Sequence, residues 1–365
     1  MRLCDLAPAH IRAISPYQPG KPISELAREM GLAEESIVKL ASNENPLGVG
    51  EKARAAMQAS LADIARYPDG NGFELKDALC RRYGVAMNQI VLGNGSNDIL
   101  EMVAGAFLGP DRDAIYAQHA FAVYPLATQA AGARGIEVPA KAFGHDLDAM
   151  LAAITPATRV IFIANPNNPT GTFVPGAELE AFLARVPADV LVVLDEAYTE
   201  YLAPADRYDA IAWVARFPNL LVSRTFSKAY GLAGLRVGYG IGNPAVIDLL
   251  NRVRQPFNVC IPGLAAAAAA LFDDEFLQRS FELNAAGMKQ LCDGFTRLGL
   301  EWIPSYGNFV TFKVGDGAGV NQRLLRQGVI VRPIGGYGMP EWLRVSIGLE
   351  SENARFLEVL PAALA

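Results

Sequence analysis

Short apolar runs recur along the first two thirds of the chain, separated by stretches in which apolar positions return every three or four residues. The runs at 89–92, 114–117, 135–138, 159–164, 190–194, 220–223 and 235–241 predict strands, and the segments between most of them predict helices. That alternation is the mark of an α/β fold built on a mainly parallel sheet flanked by helices. Val160-Ile161-Phe162-Ile163 and Val190-Leu191-Val192-Val193-Leu194 are apolar throughout, as strands covered on both faces must be.

From about Pro262 the period changes to that of a long helix reaching Leu298. Strands at 308–314, 329–331 and 342–347 follow, with helices at 320–327 and 352–360, which together predict a smaller α+β domain. The first forty residues carry Pro8, Pro16, Pro19, Gly20 and Pro22 around one short helical pattern, Ile23–Met30, and read as an arm. The expected division is therefore an arm over 1–42 that packs with the small domain, a large domain over 43–258 and a small domain over 259–365. A length of 365 residues suits two cores better than one.

Composition narrows the function classes. A net charge of -6 and no Lys/Arg-rich run leave no basic field for nucleic acid, so a small anion would be held by a few local arginines. Cys4, Cys80, Cys260 and Cys292 are scattered, and only His10, His119 and His145 could join them, so no metal site is expected. The amino terminus lacks the apolar stretch of a signal peptide, and the alanine-rich run 264–272 is too short to cross a bilayer. A cytoplasmic protein with reduced thiols is the expectation.

In an open parallel sheet, ligands bind beyond the carboxyl ends of the strands. Four polar groups follow the apolar runs there. Lys228 lies in Ser223-Arg224-Thr225-Phe226-Ser227-Lys228, with Arg236 close behind. Most lysines are surface residues, but Thr225, Ser227 and Arg236 suit a phosphate, and a lysine beside cationic groups can capture an aldehyde. Asp195 ends the run 190–194; it could cap a turn, or pair with a protonated pyridine nitrogen. Asn165-Pro166-Asn167-Asn168-Pro169-Thr170-Gly171 signals a turn whose asparagines could also bond a phenolic oxygen. Gly93-Asn94-Gly95-Ser96-Asn97-Asp98 opens a helix whose N–H groups favour an anion; Asp98 stands where a dinucleotide loop would need its third glycine. A phosphate, an aldehyde, a pyridine nitrogen and a phenolic oxygen all belong to pyridoxal phosphate.

These residues bring a known family into view. Over nearly its whole length, from Ser15-Pro16-Tyr17-Gln18-Pro19-Gly20 to Leu343-Arg344-Val345-Ser346-Ile347-Gly348, the chain resembles fold-type I, class I/II aminotransferases, and within them the histidinol-phosphate group. The most specific pieces are residues 165–171, Asp195-Glu196-Ala197-Tyr198 and the block from Thr225 to Gly238. The resemblance implies pyridoxal 5'-phosphate as cofactor, with Lys228 as its Schiff-base lysine and Asp195 as partner of the ring nitrogen. It implies Asn168 and Tyr198 as donors to the ring oxygen and Tyr124 as the aromatic stacked on the ring. Ser96, Asn97, Thr225, Ser227 and Arg236 would form the phosphate cup. Tyr67 would reach the phosphate of a neighbouring subunit, which implies a homodimer with shared sites.

For the substrate, the resemblance implies Arg344 for a carboxylate, Arg332 for a substrate phosphate, and Tyr17 and Asn43 near the pocket mouth. Asn308 also fits the family pattern, without a role assigned. The implied reaction is ping-pong transamination between L-histidinol phosphate and 2-oxoglutarate. An aromatic amino-acid aminotransferase, a phospho-amino-acid decarboxylase on the same cofactor, and a ligand-sensing regulator remain as alternatives. The regulator would need a DNA-binding domain for which the arm is too short.

Overall fold

The computed structural model describes residues 3–365, in which the apolar runs assemble side by side into one large sheet. Its seven strands are β1 (Ile90–Asn94), β2 (Asp113–Ala117), β3 (Arg134–Val138), β4 (Thr158–Ala164), β5 (Leu191–Asp195), β6 (Leu220–Thr225) and β7 (Val237–Gly242). Their spatial order is β1-β7-β6-β5-β4-β2-β3. Strands β2 to β6 are mutually parallel, whereas β7 runs against both of its neighbours, β1 and β6.

Side chains on β4 alternate between two cores. Ile161 and Ile163 pack with Leu75, Leu79, Ala266 and Ala267, while Val160 and Phe162 pack with Ile99, Val103, Tyr124 and Leu250. This two-sided burial explains the unbroken apolar runs. Truncating Ile161 or Phe162 to alanine would remove about 2–5 kcal/mol of stability through the cavity left behind.

The small domain carries a second sheet of β8 (Trp302–Ile303), β9 (Phe309–Lys313), β10 (Arg332–Pro333) and β11 (Trp342–Ser346), in the order β10-β11-β9-β8 and antiparallel throughout. Phe295, Phe312 and Phe356 fill its core, with Phe295 and Phe312 stacked at 4.5 Å.

Three expectations change in detail. The long helix from 262 to 298 is two helices, Ile261–Ala270 and Asp274–Arg297, broken at Leu271-Phe272-Asp273. The first of them, expected in the small domain, packs through Ala266, Ala267 and Ala270 into the large-domain core, because alanines let it approach closely. The strand expected at 329–331 is shared out. Val329–Ile330 pairs with Val38–Lys39, and Arg332–Pro333 continues into the small sheet as β10. The arm thus ends as a strand on the small domain, and Leu26, Ile37 and Ala41 pack there with Leu325 and Ile330. No helix among the described residues is long and apolar enough to cross a membrane.

Candidate active site

The carboxyl ends of β1, β4, β5 and β6 meet at one edge of the sheet. Because β7 is reversed, it starts at that edge: Val237 pairs with Asn94 and Gly238 with Thr225, which brings Arg236 to the same place. One cavity there is lined by Ser96 and Asn97 after β1, Asn168 after β4, Asp195 and Tyr198, Thr225, Ser227 and Lys228, and Arg236. The arm contributes Tyr17 and Asn43 to it, and the small domain Arg332 and Arg344.

Two ionisable groups set its chemistry. The Lys228 ammonium donates to the Ser42 carbonyl at 3.1 Å and lies 5.9 Å from the centre of the Tyr198 ring. Desolvation, aided by the Arg344 charge, lowers its pKa to about 7, so a neutral, nucleophilic amine is readily available. Asp195 is buried, and that burial raises its carboxyl to about 6. One carboxylate oxygen, Oδ2, accepts from the Tyr124 hydroxyl at 3.0 Å. The other, Oδ1, has no partner among the described residues. A buried acceptor left unsatisfied costs about 1–3 kcal/mol, so this oxygen is suited to a donor on a bound ligand, such as a protonated ring nitrogen.

At one end the cavity becomes a cradle for an anion. The helix Ser96–Phe107 begins there without a side-chain cap, so its first N–H groups are open. The Ser227 N–H donates to Thr225 Oγ1 at 3.1 Å, and Arg236 Nη1 donates to Ser227 Oγ at 3.3 Å. Glycines make room. A Cβ on Gly95 would lie 2.4 Å from Arg236 Nη2, and one on Gly238 would lie 2.4 Å from the Ser96 nitrogen. Arg236 itself adopts φ +54°, uncommon for a residue with a Cβ, and such strain concentrates at ligand clamps.

The opposite wall holds the polar groups of the arm and small domain. Arg344 is buried, donates from Nη1 to Asn168 Oδ1 and from Nη2 to the Ala41 carbonyl at 2.7 Å, and leaves Nε without a partner. Asn43 Nδ2 donates to the Tyr198 hydroxyl at 2.9 Å, and Asn308 Nδ2 donates to the Asn43 carbonyl at 3.0 Å. Burial pushes the Tyr198 phenol up to about 12, so it is a donor at neutral pH. Arg332 holds the arm through the Gln18 carbonyl at 2.5 Å and lies over the Tyr17 ring at 5.5 Å.

One expected residue falls elsewhere. Tyr124, expected on the cofactor ring, is wholly buried behind Asp195 and stacks at 4.9 Å on Phe162. Phe121, three residues earlier, lines the cavity instead. The helix Val123–Ala130 begins only after Phe121, and Tyr124, inside its first turn, is turned toward the core. An aromatic just beyond the end of β2 was the available signal. Tyr67 is 81% exposed and stacks on Phe257 at 4.8 Å, outside the cavity of its own chain. Not legible in the sequence was the ion pair of Glu196 with Arg224, at 2.7 Å and almost fully buried, which ties the end of β6 to the residue just past β5.

An amine of lowered pKa, an unpartnered buried carboxylate oxygen and an anion cradle around one space fit a phosphorylated pyridine aldehyde. Comparison with known proteins agrees. The profile of the family described as aminotransferase class I and II matches residues 35–360, and the chain belongs to that family. It is 64% identical over 365 residues to histidinol-phosphate aminotransferase 2 of Nitrosospira multiformis, covering 100% of this chain and 93% of that one. It is 66% identical over 363 residues to histidinol-phosphate aminotransferase of Methylobacillus flagellatus, covering 100% and 98%. Among solved structures, histidinol-phosphate aminotransferase from Sinorhizobium meliloti in complex with pyridoxal-5'-phosphate superposes with a TM-score of 0.90 at 27% identity, over 98% of this chain and 96% of that one.

Proposed function

We propose that this chain is a pyridoxal-phosphate enzyme that transfers the amino group of L-histidinol phosphate to 2-oxoglutarate, giving imidazole acetol phosphate and L-glutamate. The observation that carries the reading is the shared cavity of the Lys228 amine, the unpartnered Asp195 oxygen and the glycine-built cradle. When bound, pyridoxal phosphate supplies an aldehyde that takes up the amine and a pyridine ring that draws electrons from the substrate's α-carbon.

The residues divide the remaining work. Ser96, Asn97, Thr225, Ser227 and Arg236 hold the cofactor's phosphate. Asp195 Oδ1 accepts from the ring nitrogen and keeps it protonated. Asn168, whose Oδ1 is taken by Arg344, has Nδ2 left to donate to the ring oxygen beside Tyr198. Phe121 walls the ring. Lys228 would anchor the cofactor through its amine, and its Nζ would accept the proton from the substrate's α-carbon and later give it back. Lys228 is suited to both directions because its pKa lies near neutrality.

Arg344 binds the carboxylate of glutamate or 2-oxoglutarate, and Arg332 the phosphate of histidinol phosphate, with Tyr17 and Asn43 at the mouth. The large domain thus carries the cofactor, while the arm and small domain carry the substrate's anionic ends. The enzyme works in the cytoplasm as a homodimer, in which the exposed Tyr67 is offered to the phosphate of a second copy.

Absorption spectra of the purified protein test the reading, with kcat/KM measured for histidinol phosphate and for phenylalanine. A near-visible band should vanish on adding histidinol phosphate, which should also be the preferred amine. A clear preference for phenylalanine overturns the substrate; absence of the band overturns the cofactor.

A further inference from the structure

We propose that Tyr124 is a positioning residue for the cofactor: its hydroxyl pins Oδ2 of Asp195, so that Oδ1 alone is left to accept from the ring nitrogen. The inference rests on the pyridoxal-phosphate reading above. It starts from a geometric restriction. A carboxylate at a strand end can rotate about its last bond, and either oxygen could then face the cavity. Among the described residues, the one donor to this carboxylate is the Tyr124 hydroxyl, at 3.0 Å from Oδ2, while Oδ1 has none. A buried hydroxyl needs a partner as much as a buried carboxylate does, so the bond is fixed from both sides.

The ring that carries the hydroxyl cannot swing. Tyr124 is fully buried, lies parallel to Phe162 at 4.9 Å with an interplanar angle of 6°, and meets Phe121 edge-on at 5.8 Å. Phe162 sits on β4 and Phe121 lines the cavity, so the aim of the hydroxyl is set by the sheet and the cavity wall together. Burial and the adjoining Asp195 hold the Tyr124 phenol well above its usual range, which keeps it a donor.

The other titratable groups facing Asp195 are Glu196, next in the chain just past the strand end, Lys228 and Tyr198. Glu196 disfavours the ionised carboxylate; Tyr124 and Lys228 favour it. Removing the hydroxyl therefore does two things. It frees the carboxylate to turn, and it makes the carboxylate easier to protonate. Both weaken a charge-assisted bond to a protonated nitrogen.

The test uses full-length apoprotein titrated with pyridoxal phosphate and with its analogue in which a carbon replaces the ring nitrogen, followed by absorbance between pH 5 and pH 9. Wild type should prefer the nitrogen-containing ligand. Tyr124→Phe should bind pyridoxal phosphate about tenfold more weakly or worse, with little change for the carbon analogue. The pH at which pyridoxal-phosphate affinity falls on acidification should also move upward.

Phe162→Leu, which keeps the hydroxyl but loosens its aim, should narrow the preference as well, and serves if Tyr124→Phe proves too unstable to titrate. Equal weakening for both ligands, or an unchanged preference and pH profile, overturns the proposal, since a merely structural tyrosine behaves in those ways. Wild type that fails to prefer the ring nitrogen removes the Asp195 contact and this inference with it, whereas failure to bind either ligand refutes the cofactor reading itself.

Discussion

Arg332 and Arg344 stand directly opposite each other in the antiparallel pairing of β10 with β11. Like charges at facing positions are unfavourable, and here burial, with Arg332 adding to it, depresses the Arg344 guanidinium below its usual pKa. The arrangement makes sense as a receptor for substrate anions, which would relieve the repulsion. Arg332→Ala should raise KM for histidinol phosphate by about 10- to 100-fold, the loss of a charged hydrogen bond, while sparing the half-reaction with glutamate. Arg344→Ala should impair both half-reactions, and stopped-flow measurement of each separates the two roles.

Lys228→Ala should abolish turnover and the visible absorbance band. In the wild type, the neutral amine is the reactive form, and its pKa lies at about 7. The rate at which the band forms on adding cofactor to apoprotein should therefore rise from pH 6 to pH 8 and then level off. A rate that still climbs steeply toward pH 10 would show an ordinary lysine.

Asp195→Asn should make the apoprotein more stable while destroying activity. The carboxyl moves from 3.8 when exposed to about 6 in the fold. Between those values the folded state holds more protons than the unfolded one, so this group's contribution falls as pH rises through that window. Above about pH 6 its whole cost is present, on the order of 2–3 kcal/mol. Thermal melts of apoprotein should favour the variant at pH 8 and show no difference near pH 4.

Gly238→Ala should weaken cofactor binding through the cradle. The added methyl would lie 2.4 Å from the Ser96 nitrogen and 2.5 Å from the Gly95 carbonyl carbon, both backbone atoms with no rotamer to yield. Overpacking of this kind costs about 1–3 kcal/mol. A loss of affinity for pyridoxal phosphate larger than the loss in melting temperature implies is the expected signature; a variant that binds it normally counts against the cradle.

Glu196→Gln should destabilise the protein by about 3–5 kcal/mol, because Arg224 would keep its buried charge without its countercharge. Urea unfolding measures this directly. A change within 1 kcal/mol would mean that the Tyr83 hydroxyl, 3.3 Å from Arg224, and the nearby Glu200 carboxyl together support the guanidinium.

Much of this is legible in the amino-acid sequence. The apolar runs located the strands to within about two residues, as with 190–194 against Leu191–Asp195 and 342–347 against Trp342–Ser346. Strand ends then pointed to Asp195, Asn168 and Lys228, since a polar residue closing a buried strand needs a reason to be there. Direction was not legible: the run that became β7 looks like its parallel neighbours, because hydrophobic period carries no sign. Nor was the facing of Tyr124 and Phe121. Both are aromatics near the end of β2, and which meets the cavity depends on where the next helix begins.

The amino-acid sequence by itself determined the order of elements and the chemical types at the strand tips, because burial period and turn residues are local properties. Only the tertiary structure decided that the reversed β7 delivers Arg236 to the anion cradle, that Tyr124 bonds Asp195, and that Arg332 faces Arg344. Those relations join residues far apart in the chain, and packing and register alone set which of them meet.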